Sequence, residues 1–234
     1  MAIAFQWSAI SNRYGYCARI IGKSSLIEVA AMATTTKIVS FEEYLAFQAQ
    51  QDITYELEDG ILIPMGIGRA QHTDIAKFLE RIFDVEIERL GLPLATYRNG
   101  VGIRIPQVGR RATSRVPDLI VVTLEQRDYL ATLKDAVLED SMPPLVVEVV
   151  SAGTVNTDHR KKRAEYNVLE IPEYWIVDFI DEPDFSEKPK VTICKLVEGL
   201  YEAKVYQGSD RLESDLFPEL NLTAEQVINF SKNE

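Results

Sequence analysis

Pro144-Leu145-Val146-Val147-Glu148-Val149-Val150 is a run of strand length, apolar throughout except for a glutamate at its middle. A near-continuous apolar strand is usually covered on both faces, which places it centrally in a sheet flanked by other layers. Arg115-Val116-Pro117-Asp118-Leu119-Ile120-Val121-Val122 repeats the pattern, with an aspartate among apolar residues. Burying an unpaired carboxylate costs several kcal/mol, so each acid needs a compensating cation: an Arg, a Lys or a metal. Asp118 alone also reads as an acid that opens a strand after Pro117. Glu148 sits mid-strand, where that reading is weaker. Two such acids on neighbouring strands can share one divalent ion through hard oxygen ligands, and together they favour a metal site.

Downstream lies a basic run, Arg160-Lys161-Lys162-Arg163, in a helix expected over 157–169. Such a run is ordinarily a solvated face. At 100° per residue, however, Lys162 shares a side with Asp158, Tyr166 and Leu169, while Arg160 and Arg163 point away. Tyr166 and Leu169 are natural residues to pack on a sheet, so Lys162 is expected to face the Glu148 strand. Lys161, at the flank, is the alternative.

Around this centre, Ser40-Phe41-Glu42-Glu43 is a capping box for a short helix to about 50. Asp59-Gly60 marks a hairpin between strands at 53–57 and 61–64. Ile75, Phe78, Leu79, Ile82, Phe83, Ile87 and Leu90 recur at helical spacing, predicting a helix over 70–90 that Gly91-Leu92-Pro93 ends. Strands are expected at 95–98, 101–105, 115–122, 145–150, 174–178, 190–197 and 201–206. A helix is expected over 124–134. Glu198-Gly199 reads as a second hairpin turn, and Thr223 caps a final helix. The order predicts an α/β fold, with one mixed central sheet flanked by helices.

Composition bounds the rest. Among 234 residues, 46% are hydrophobic and 26% charged, which excludes collagen, long disorder and coiled coil. No apolar stretch reaches the roughly 18 residues a membrane-spanning helix needs, so no membrane association is expected. Cys17 and Cys194 form no framework, which points to a reducing, cytoplasmic setting. The net charge of −11 argues against loose nucleic-acid binding through a basic surface, though not against a local patch. Residues 1–31 carry a net +2, leaving −13 for 32–234. They read as a loosely attached leader rather than a targeting signal, with Met32-Ala33-Thr34-Thr35-Thr36 resembling an ordinary start. The expected organisation is an extension over 1–37 and one domain over 38–230.

These residues resemble the PD-(D/E)XK nuclease superfamily and, more closely, its Uma-type restriction-endonuclease family. The matching stretches are Tyr55 to Gly60, Arg115 to Asp118, Val146 to Ser151, Asp158 to Tyr166, Ile171 to Asp178 and Leu216 to Leu220. Two departures stand out. The superfamily lysine two residues beyond the glutamate is replaced by Val150; the Uma-type family commonly carries it on the following helix, where Lys162 matches. The loop Gly66-Ile67-Gly68-Arg69 lacks the Pro and Ser of close relatives.

The resemblance implies a restriction-endonuclease-like fold and a metal-dependent endonuclease acting on nucleic acid, with DNA the expected substrate. Asp118 and Glu148 would hold Mg²⁺ (or Mn²⁺), with the Val149 carbonyl as a further oxygen. Lys162 would orient or deprotonate the attacking water, or stabilise developing charge. Glu56 is a candidate auxiliary acid or simply a hairpin residue. Asp178 reads as structural, and His72 and His159 as surface or helix-cap residues. Related folds are often dimeric, so a homodimer is compatible. The alternative is a non-catalytic binding or assembly module on a nuclease-like scaffold, which the acidic charge favours.

Overall fold

Ser40 starts the first helix by a reciprocal cap. Its hydroxyl accepts the Glu43 N–H, while the Glu43 carboxylate accepts its own N–H, and α1 (Phe41–Gln48) follows. The computed structural model describes residues 37–66, 69–106, 111–151, 153–180 and 188–230. The expected leader with Cys17, and Ile67 and Gly68 of the loop after Met65, lie outside the described residues.

β1 (Tyr55–Glu58) and β2 (Ile61–Pro64) are joined by Asp59 and Gly60, both left-handed at φ 49° and 76°. α2 (Ala70–Leu90) ends on Gly91, also left-handed. Next come β3 (Leu94–Tyr97), β4 (Gly102–Ile105), β5 (Thr113–Arg115) and β6 (Leu119–Thr123). α3 (Leu124–Leu130), β7 (Val137–Leu138) and β8 (Leu145–Val150) lead to a π-helical turn, Thr157–Lys162, continuous with α4 (Arg163–Val168). β9 (Glu173–Asp178), β10 (Lys190–Val197), β11 (Leu200–Tyr206) and α5 (Ala224–Ile228) complete the order.

The strands form two mixed sheets rather than the one expected. The first runs β2-β1-β5-β4-β7 and the second β11-β10-β9-β8-β6-β3. The strand expected over 115–122 is in fact two, β5 in the first sheet and β6 in the second. The break falls at Val116-Pro117-Asp118, because a proline carries no N–H for a continuing ladder. The expected 157–169 helix likewise divides into the π-turn and α4.

β8 is buried over its whole length, antiparallel to β6 and parallel to β9. Its alternate residues serve two cores. Leu145, Val147 and Val149 pack with Ile75, Leu79 and Phe83 of α2 and with the C-terminal Phe217, Leu220 and Val227. Val146 and Val150 pack on the other side with Tyr166 of α4, Tyr174, Ile176 and Ile103. Glu148 shares the parity of Val146 and Val150, as Asp118 shares that of Ile120 and Val122. Glu148 therefore belongs to the side of the sheet that α4 covers, while Asp118 lies just ahead of β6. No helix among the described residues is long and apolar enough to cross a membrane.

Candidate active site

Asp118 stands where the chain leaves the first sheet for the second, just before β6. The β6–β8 register pairs Leu119 with Val147, so one step back brings Asp118 beside Glu148. The Val149 N–H donates to Asp118 Oδ2 at 2.7 Å. Asp118 and Glu148 are 6% and 3% exposed. Glu148 Oε1 accepts from the Tyr166 hydroxyl at 3.0 Å and pairs with Lys162 Nζ at 2.8 Å.

Lys162 is buried, facing inward with Asp158 and Tyr166, while Lys161 is exposed and pairs with Glu58. Besides Glu148, its ammonium lies 3.3 Å from Glu56 Oε1 and 3.5 Å from Asp158 Oδ1. Burial by itself would lower the Lys162 pKa. The Glu148, Glu56 and Asp158 carboxylates outweigh it and hold the ammonium well above its ordinary value.

Glu56 reaches the cluster from β1, in the other sheet. Its Oε1 accepts the Val116 N–H and its Oε2 accepts from Arg115 Nη1, both at 3.1 Å. Arg115, 1% exposed, also binds Glu58 and makes two parallel bonds to Glu165 of α4, at 2.8 and 2.9 Å. It ties β1, β5 and α4 together around the acids.

Two residues at this site were not singled out from sequence. Arg115 carried no signal beyond its place in Arg115-Val116-Pro117-Asp118. His72, expected as a surface or helix-cap residue, is mostly buried, with Nε2 3.2 Å from Asp118 Oδ2. The Asp118 carboxylate raises the imidazole pKa. Burial works the other way, but Asp118, Val149 and Asp158 prevail and hold His72 above its ordinary pKa. A signal did exist: 72, 75, 76, 79 and 83 form one helical stripe, and the last four are fully buried. His159 pairs with Asp178 at 2.8 Å, which gives Asp178 a structural partner.

Asp118 and Glu148 each have a basic partner, His72 beside one and Lys162 beside the other. Acids still outnumber cations. Burial and the neighbouring acids push Glu148 well up despite Lys162, and burial pushes Asp158 up. Asp158 Oδ1 is buried without a hydrogen-bond partner. A residual negative field with an unsatisfied oxygen fits a hard divalent ion in its donor chemistry. Among the described residues, no three His, Cys, Asp or Glu side chains gather closely enough to enclose one. Asp118, Glu148 and the Val149 carbonyl are the oxygens that could hold one.

Residues 41–225 match the Uma2 family, described as "Putative restriction endonuclease". The fold is similar to a crystal structure described as "a putative nuclease belonging to DUF820 from Anabaena variabilis ATCC 29413", with a TM-score of 0.59 and 15% identity. The match covers 77% of this chain and 92% of that one. A search of curated proteins found no match.

Proposed function

The chain belongs to the Uma2 family, and we propose that it is a divalent-metal-dependent endonuclease that hydrolyses DNA phosphodiesters, with Mg²⁺ or Mn²⁺ as the ion. The carrying observation is the pairing of Asp118 with the Glu148–Val149 segment on adjacent strands, with Lys162 buried against Glu148. A bound ion would supply charge neutralisation at the phosphate and a more acidic water. Asp118, Glu148 and the Val149 carbonyl would bind it.

Lys162, fixed among Glu148, Glu56 and Asp158, orients the attacking water and stabilises charge developing on the phosphoryl oxygens. Glu56 positions Lys162 rather than serving as an acid, because Val116 and Arg115 already occupy both of its oxygens. The non-catalytic alternative draws on the −11 charge and on carboxylates already paired within the protein.

Supercoiled plasmid incubated with protein and millimolar Mg²⁺ or Mn²⁺ tests the reading. We expect nicking by wild type, loss of at least about 100-fold in Lys162→Ala and Asp118→Asn, and little change in Lys161→Ala. Equal low background in wild type and both variants would leave the non-catalytic module. A dead Lys161→Ala beside an active Lys162→Ala would move the role to the neighbouring lysine.

A further inference from the structure

We propose that His72 is a nitrogen ligand of the divalent-ion pocket and biases it toward first-row transition ions over Mg²⁺. The inference rests on the metal-dependent reading above and deepens it.

His72 belongs to the first turn of α2, on the layer opposite α4. Its stripe-mates Ile75, Ala76, Leu79 and Phe83 all enter the apolar core, and it alone turns to polar atoms. The one beside its Nε2 is Asp118 Oδ2, one of the three oxygens the ion would use. Two ligands at right angles on an ion with legs of about 2.1 Å stand about 3.0 Å apart. His72 Nε2 and Asp118 Oδ2, at 3.2 Å, already have that spacing. Glu148 pairs with Lys162 instead, and among the described residues no three such side chains close around one point.

The remaining expected donors are carboxylate and carbonyl oxygens, which suit Mg²⁺. An imidazole adds a softer donor, which Co²⁺ and its neighbours accept more readily than Mg²⁺. A second histidine, His159, does not compete for this role, because its Nε2 is taken by Asp178.

Calorimetric titration of the untagged full chain with Co²⁺ and with Mg²⁺, without nucleic acid, tests this. His72→Gln should weaken Co²⁺ binding roughly tenfold or more and Mg²⁺ binding by less than about threefold. The Co²⁺ visible spectrum should shift in parallel. Wild type with Co²⁺ should also show a paramagnetically shifted, solvent-exchangeable imidazole N–H proton. That signal should persist in His159→Gln, a reading that stands even if the His72 variant folds poorly. An unchanged Co²⁺/Mg²⁺ ratio with no such proton would overturn the ligand role. Tighter binding of both ions in His72→Gln would overturn it too, showing that the imidazole competes with the ion. Either failure leaves the metal-dependent reading intact provided Asp118→Asn still abolishes binding. If wild type binds neither ion, both readings fall together.

Discussion

Asp158 keeps a carboxylate in a place that supplies only part of what it needs: Oδ1 is buried without a hydrogen-bond partner, and Lys162 stands 3.5 Å away. Burial raises its pKa above the ordinary 3.8, so ionising it costs the folded state. The sign follows directly. Its contribution to stability is intact below pH 3.8 and is lost as pH rises through the folded-state value. Asp158→Asn should therefore melt with wild type near pH 4 and a few degrees above it at pH 8, as read by calorimetry across that range. A gap that narrows with rising pH would show that the charged form is favoured. Glu148→Gln behaves differently, since it removes the nearest partner of a buried lysine that keeps only Glu56 and Asp158. We expect a loss of about 2 kcal/mol in metal-free urea unfolding; an equal or greater stability would mean that the pair contributes nothing. Asp118, Glu148 and Lys162 were legible as a set because a charge in an apolar strand and a cation on an inward helix face both break a pattern. His72 was legible in principle from its stripe, but an isolated histidine at a helix start reads as a cap until its neighbour in space is known.

At the scale of elements, the Pro117 break shows what periodicity omits. Apolar spacing gave 70–90 as one helix, and the Asp59-Gly60 and Glu198-Gly199 turns appeared where their left-handed φ values require. The same spacing could not tell that 115–122 serves two sheets, because both halves are equally buried. Proline inside the run was the available warning. The π-turn left no trace in sequence either, since one added residue in a turn keeps the inward side of Asp158, Lys162 and Tyr166. Arg115 holds these elements in register from a fully buried position. Arg115→Met should strand Glu56, Glu58 and Glu165 against one another and cost about 3–5 kcal/mol in urea unfolding. Arg115→Lys should recover only part of that, because one ammonium cannot replace the two-pronged bond to Glu165. A loss below about 1 kcal/mol in Arg115→Met would show that the network is dispensable.

Over the whole molecule, the family match begins at Phe41 and the described packing begins at Lys37. We expect a chain starting at Met32 to melt within a few degrees of the full chain; a larger drop would assign the first 31 residues to the core. The site itself is divided between the sheets. Glu56 and Arg115 come from one, Asp118 and Glu148 from the other, and only Val116 and Pro117 separate Arg115 from Asp118 along the chain. Any form in which the two sheets have parted takes Glu56 away from Lys162 and Arg115 away from the strands that carry the acids. In a nuclease such a division would act as an interlock, with cutting competence arriving only with the complete fold.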